Sequence, residues 1–219
     1  MDGYRLARLV ARGYERAGHH LGLDYDLWRP ARALNPLLQI NRVGTKVRAT
    51  FDATTSYQFT SHAPWVQASR AGLFDPLLVQ VGDYLIYPNR TDQAYFVAAM
   101  EHLAPPLCVI CNSRINVRRP GAPDGLGAVG YSGSTPATEV DVMRDWPASI
   151  LQGGSGQRTD PHLPGDAVVP GWNILLPALP GIDIEFSDLI TDHRGRRMLI
   201  SSAERTGLGW RISARLAQV

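Results

Sequence analysis

The sequence predicts a mainly β protein: one or two small antiparallel β-barrel or sandwich modules, an N-terminal α-helix and long Gly/Pro-rich loops. Three observations lead there. Short apolar runs with period-two alternation recur between turn residues. A strand–turn–strand pattern occurs twice, and two Gly/Pro/Ser-rich stretches separate or interrupt the modules. The chain has 219 residues, 44% hydrophobic and 19% charged, which is enough for one large or two small cores and outside the disordered range.

From the N-terminus, residues 2–20 have helical periodicity. Leu6, Leu9, Val10, Gly13, Tyr14 and Ala17 share one face, with Arg5, Arg8, Arg12 and Arg16 largely around it. Asp2 is placed to cap the start, and Gly18 or Gly22 to end it. Trp28-Arg29-Pro30 and Asn35-Pro36 then force an extended connection, which gives a helix and arm over residues 1–36. A first β module is expected over 37–119, starting with one or two strands in 39–59, where Val47, Ala49 and Phe51 alternate with polar neighbours.

The echo lies between residues 77–118 and 182–216. Val79 to Ile86, a turn at Pro88-Asn89-Arg90 and Tyr95 to Ala98 correspond to Ile182 to Ile190, a turn at His193-Arg194-Gly195 and Met198 to Ser201. Each copy reads as a strand, an acidic break, a strand, a tight turn and a strand. A further extended segment follows, Leu107–Val117 or Trp210–Leu216. Asp83 and Asp188 fall at equivalent places, and an aspartate at a strand break is expected to accept backbone hydrogen bonds and set a turn. Small meanders of this kind close readily into barrels, which removes exposed edges. Residues 120–136 are expected to be an exposed loop, and 137–219 a second β module with a Gly-rich loop at 153–165. That module would include strands near 138–150 and 172–176.

Several motifs that suggest chemistry lack the context it needs. Gly125-Leu126-Gly127-Ala128-Val129-Gly130 spells a dinucleotide fingerprint, but the required strand and helix do not flank it, so no cofactor is expected. Cys108-Val109-Ile110-Cys111 holds the only two cysteines and has no second ligand pair. In a strand, residues i and i+3 point to opposite faces, so the pair reads as two buried core thiols and no metal is expected. Gly130-Tyr131-Ser132-Gly133-Ser134 lacks the last glycine of a nucleophile elbow. The six histidines are scattered without a catalytic spacing to a carboxylate, and Asn89-Arg90-Thr91 reads as a turn. No catalytic residue is therefore expected.

The formal net charge is +2, and Lys46 is the only lysine. An arginine-dominated basic set fits either GC-rich coding or interface contacts, since arginine is enriched and lysine depleted at interfaces. The tightest basic cluster, Arg194, Arg196 and Arg197, reads as a turn, not a nucleic-acid arm. No apolar run reaches membrane-spanning length and no signal core opens the chain, so synthesis in the cytoplasm without membrane contact is expected.

Gly13-Tyr14 with Ala17, Leu21-Gly22 and Trp28-Arg29-Pro30 resemble the opening of proteins encoded in structural-gene clusters of proteobacterial tailed phages and prophages. Gly82-Asp83-Tyr84-Leu85, Tyr95-Phe96-Val97-Ala98 and Arg118-Arg119-Pro120 continue the likeness. Asp188-Leu189-Ile190, Gly195-Arg196-Arg197 and Trp210-Arg211-Ile212 resemble the small barrel of head-completion or stopper proteins at the head–tail junction. The resemblance implies a non-enzymatic virion protein of the neck. It would form a homo-oligomeric ring between portal or adaptor proteins and tail proteins, with packaged DNA as a further contact in the channel. On that basis the expected interface residues are Tyr4, Tyr14, Trp28, Trp65, Trp146 and Trp172, with Arg118, Arg119, Arg196 and Arg197. The alternatives are a tail, baseplate or capsid-decoration component, or a glycan-binding or cell-wall-degrading virion module.

Overall fold

A computed structural model describes residues 2–52, 68–88, 90–121, 138–153 and 171–217. The helix α1 (Gly3–Leu21) starts where Asp2 accepts the Tyr4 N–H, and it ends at Gly22, whose N–H reaches the Gly18 carbonyl. Strands β1 (Leu23–Trp28), β2 (Arg42–Asp52), β3 (Ser69–Leu73), β4 (Tyr84–Tyr87), β5 (Arg90–Ala99) and β6 (Leu107–Cys111) follow. They close into a six-stranded antiparallel barrel in the order β1-β2-β3-β6-β5-β4. Strands β7 (Ser113–Pro120), β8 (Glu139–Gln152), β9 (Gly171–Leu176), β10 (Leu189–Asp192), β11 (Arg197–Thr206) and β12 (Gly209–Leu216) close a second, in the order β7-β8-β9-β12-β11-β10.

The two orders are the same, and so are the registers where they can be compared. Trp28 pairs with Tyr84 and Leu27 with Leu85 in the first barrel, as Arg118 pairs with Leu189 and Val117 with Ile190 in the second. The duplication is thus wider than the sequence echo and spans two complete barrels. The boundary falls at Asn112, between β6 and β7, instead of at 119. The expected single extended run Leu107–Val117 is two strands that belong to different barrels. Likewise β1, placed by sequence in the N-terminal arm, is a wall of the first barrel. The segments Val79–Val81 and Ile182–Phe186, read as strands, are instead the approaches to the turns at Asp83 and Asp188.

Alternation along the strands explains how the barrels join. Leu85, Tyr95, Val97 and Cys108 point into the first barrel with Tyr25, Leu27, Val47 and Phe74. Their neighbours Tyr84, Ile86, Ala94, Phe96, Val109 and Cys111 point out of it and are buried with the second barrel's core, including Ile115, Val117, Met143, Trp146, Ile190 and Met198. The wall β4-β5-β6 is therefore apolar on both faces, which accounts for its near-continuous hydrophobic runs. At this seam the Tyr84 hydroxyl donates to the Pro147 carbonyl at 2.8 Å, and its ring meets Trp146 edge-on with centroids 6.1 Å apart. Asn112 takes the place of a strand neighbour: its amide nitrogen donates to the Ile150 carbonyl and its amide oxygen accepts from the Ile150 N–H, both at 2.8 Å. The connection after β1 also crosses to the second barrel, where Leu34 bridges Arg144 and the Ala33 carbonyl accepts from the Trp146 indole.

The helix docks on the outer side of β2 and β3, and Gly18 is its only buried residue. A Cβ at Gly18 would lie 2.6 Å from the Leu73 carbonyl oxygen and 2.9 Å from that of Arg48, so only glycine permits this approach. The Tyr14 hydroxyl adds a second tie by donating to the Leu103 carbonyl at 3.1 Å. Gly18→Ala is expected to lift the C-terminal turn of α1 while leaving both barrels folded. Hydrogen exchange should show α1 amides losing protection with barrel amides unchanged, and equal α1 protection in both proteins would contradict this docking.

Candidate functional site

The feature both barrels build in the same way is an arginine–aspartate bracket. Asp83, 1% exposed, receives Arg29 in two-pronged fashion, Nε at 2.9 Å and a terminal nitrogen at 2.7 Å. Asp188, also 1% exposed, receives Arg119 at 2.9 and 3.0 Å. Each aspartate also accepts a backbone N–H three residues upstream, from Gln80 or Glu185, at 2.8 Å. Its own carbonyl accepts from Val97 or Ile200 on the neighbouring strand, at 2.9 Å in both cases. The preceding residue takes a positive φ in both copies, 92° at Gly82 and 72° at Ser187, where a left-handed residue turns the chain into the strand. The expected turn-setting role of both aspartates holds. Sequence reasoning missed the arginines as partners, although both stand before a proline, in Trp28-Arg29-Pro30 and Arg118-Arg119-Pro120. Hydrogen bonding to the aspartates raises the pKa of Arg29 and Arg119.

The expected interface residues are placed unequally. Tyr4 is exposed, whereas Tyr14, Trp28 and Trp172 are half-buried. Trp146 is 1% exposed and belongs to the seam between barrels, so it is corrected from a surface contact to a core residue: its indole and ring are consumed by Ala33 and Tyr84. Trp65 lies outside the described residues, as do the Gly125–Gly130 motif and most of both Gly/Pro-rich loops. The four arginines are engaged within the chain. Arg118 pairs with Asp141, Arg119 with Asp188 and Glu185, and Arg197 with Glu139. Arg196 lies between Asp192, at 2.6 Å, and the face of Trp172, at 4.4 Å.

Two carboxylates in these networks are shifted. Burial alone would raise the pKa of Asp192, but the Arg196 side chain and the backbone N–H groups of Arg196 and Arg194 outweigh it and hold it below its ordinary value. Asp141 is lowered chiefly by its hydrogen bond from Arg144, against desolvation, with Arg118 adding to the effect. Cys108 faces the interior of the first barrel and Cys111 the seam, as alternation predicts, and burial raises both thiols. Among the described residues, no group of three or more His, Cys, Asp or Glu is placed to hold a metal ion, and no helix is long and apolar enough to cross a membrane. A pocket of about 260 Å³ at the junction is lined by Cys111, Asn112, Ser113, Arg114, Pro147 and His193. In it Ser113 Oγ lies 2.7 Å from His193 Nδ1 and also donates to the Arg114 carbonyl, while Arg114 is held by Asp145.

The surface feature that sequence reasoning did not select is aliphatic and surrounds the brackets. The Arg29 N–H bonds the Asn41 carbonyl and its guanidinium reaches the Leu78 carbonyl, so the 40–41 and 77–81 segments meet there. Ile40 is 88%, Leu77 87% and Val81 57% exposed. In the second barrel Phe186, one residue before Ser187, is 70% exposed, and Val140, paired with Arg119 in the ladder, is 64% exposed. Apolar residues at turn positions, such as Leu77-Leu78 after Asp75-Pro76, were the available signal.

Comparison with known protein families, characterised proteins and solved structures finds no match. The reading of the surface therefore rests on its own chemistry.

Arg29→Ala and Arg119→Ala should each leave a buried carboxylate without its cation and destabilise the protein by about 2–4 kcal/mol in chemical denaturation. Lysine at either position should recover only part of the loss, because it cannot make the two-pronged contact. Asp141 and Asp192 have folded pKa values below their unfolded ones. They add stability at neutral pH that is lost as the pH falls below about 4 and through the folded values. Denaturation midpoints should drop over that window, and Asp192→Asn should flatten the acid limb of the profile.

Proposed function

We propose that this chain is a structural, non-enzymatic virion subunit of a tailed phage, a ring-forming neck component between the portal or adaptor and the tail. The observation that carries the assembly part is the exposed aliphatic surface around Arg29–Asp83, formed by Ile40, Leu77 and Val81. Large aliphatic side chains exposed near one another around one bracket are what a contact site presents. The backbone beneath it is tied by the ion pair of half-exposed Arg29 with buried Asp83, which limits the ordering entropy lost on docking. Phe186 and Val140 give the second barrel a related but different surface. Unlike surfaces on one subunit are what a closed ring of heterologous contacts needs. The phage setting comes from the sequence resemblance, and its partners would be further copies, portal or adaptor proteins and tail proteins.

A second reading, a glycan-binding or cell-wall-acting module, draws on the Ser113–His193 pair in the junction pocket. The ring reading is favoured because the histidine has no carboxylate partner among the described residues, and Arg114 is already neutralised by Asp145.

Native mass spectrometry of the purified chain should show a closed oligomer, and Leu77→Asp with Val81→Asp should reduce it to monomer without lowering the denaturation midpoint. A wild-type chain that stays monomeric at every concentration, or turnover of a cell-wall substrate lost on His193→Ala, would overturn the proposal. Particles made without the protein should show filled or leaking heads beside free tails by electron microscopy.

A further inference from the structure

We infer that the outward face of α1 is a docking strip for the phosphate backbone of double-stranded DNA. The chain carries a formal net charge of +2. Residues 2–21 hold four arginines against Asp2 and Glu15, a surplus of two. The remaining residues hold eighteen basic and eighteen acidic side chains. The rest of the sequence is therefore formally balanced, and many of the barrel arginines are visibly paired: Arg29, Arg42, Arg114, Arg118, Arg119, Arg144, Arg196, Arg197 and Arg211 each meet a carboxylate. The whole formal surplus belongs to the helix.

Helical geometry then collects it. At about 100° per residue, Arg5, Arg8, Arg12, Arg16 and His19 fall within an arc of about 80°, and no other residue of 2–21 shares it. All five are exposed, and none of the four arginines makes an ion pair among the described residues. The arc lies on the side of the helix away from Gly18, the residue pressed against the first barrel. Arg5 and Arg16 are separated by about 16 Å along the axis. Arg5, Arg8 and Arg12 also line an open groove of about 570 Å³ with Asp2, Tyr4 and Leu9.

An arc of arginines that itself holds no apolar residue, with Tyr4 and Leu9 only at its margin, suits a regular polyanion better than a protein surface, whose binding energy concentrates in buried aromatic and aliphatic anchors. A membrane surface fits less well. An interfacial helix inserts a broad apolar side, and here the Tyr14–Gly18 side is turned onto the barrel, which leaves Leu6, Leu9 and Leu21 as the exposed aliphatic residues of α1, outside the arginine arc. A duplex offers closely spaced phosphates along a line, and arginine grips them through its planar donors. This inference stands on the charge geometry alone and does not need the neck reading.

The test uses the full chain and a fluorescent random-sequence duplex of about 30 base pairs, with binding followed by anisotropy across salt concentration. Four phosphate contacts predict affinity falling about 10²-fold between about 50 and 200 mM salt. Replacing Arg5, Arg8, Arg12 and Arg16 together by glutamine should weaken binding at least about tenfold at the lower salt and remove most of the salt slope. Glutamine keeps the helix, which circular dichroism checks. Absence of binding by the wild type, or equal binding and slope in the quadruple variant, overturns the inference. So does equally tight, equally arginine-dependent binding to polyglutamate or to phosphatidylserine vesicles. Oligomer size measured on the same samples separates this outcome from the ring: DNA binding by a monomer supports the strip and counts only against the ring.

Discussion

The constraint on which the molecule depends is that one sheet serves two interiors. Strands β4, β5 and β6 send alternate side chains into the first barrel and into the seam with the second, so Tyr84–Ile86, Ala94–Ala98 and Cys108–Val109 are buried on both faces. Each large side chain buried in this way stabilises the fold by about 1.5–3 kcal/mol, and those on the outward face do so only while the second barrel covers them. The seam is thus part of the core, and the two barrels form one continuous hydrophobic unit. Two of its polar side chains, Tyr84 and Asn112, are bonded to the backbone of β8, while the indole N–H groups of Trp28, Trp172 and Trp210 and the Ser149 hydroxyl are buried without a partner among the described residues.

Within that frame the duplicated bracket solves a local problem in each barrel. The chain must turn sharply into β4 or β10, and a buried carboxylate receives the free backbone N–H while also receiving an arginine from the adjoining strand end. A buried carboxylate alone would be costly, and a lone arginine there would not set the turn. Together they fix the rim of the barrel. The recurrence of the same contacts, with near-identical distances, in two halves with little identity around them indicates that the bracket is the geometric requirement and the flanking residues are free to vary. In the first barrel that freedom leaves Ile40, Leu77 and Val81 at the surface, and in the second Phe186 and Val140.

The exposed surfaces divide by type. Exposed aliphatic residues lie at the bracket rims, while arginines without an ion pair among the described residues line the outer face of a helix held by Gly18 and Tyr14. Arginine–carboxylate pairing inside the barrels explains why arginine abundance by itself was a poor guide to contacts. Arg118, Arg119, Arg196 and Arg197 read from sequence as interface residues, yet all four are engaged within the chain.

Local rules made much of this legible. Asp2 and Gly22 delimit α1 because caps depend on neighbours in sequence, and the opposed placement of Cys108 and Cys111 follows from the period of a strand. The strand-rich class, the echo around Asp83 and Asp188 and their turn-setting role were readable for the same reason. What the sequence could not supply was partnership across distance. Whether β7 closes the first barrel or opens the second depends on its pairing with β8 and β10, 19 or more residues away in each case. Trp146 became a core residue only because Tyr84 and Ala33 arrive from another part of the chain. Short-range pattern determined which segments are helix or strand; the tertiary structure alone decided which faces are covered, because burial is a property of what packs opposite.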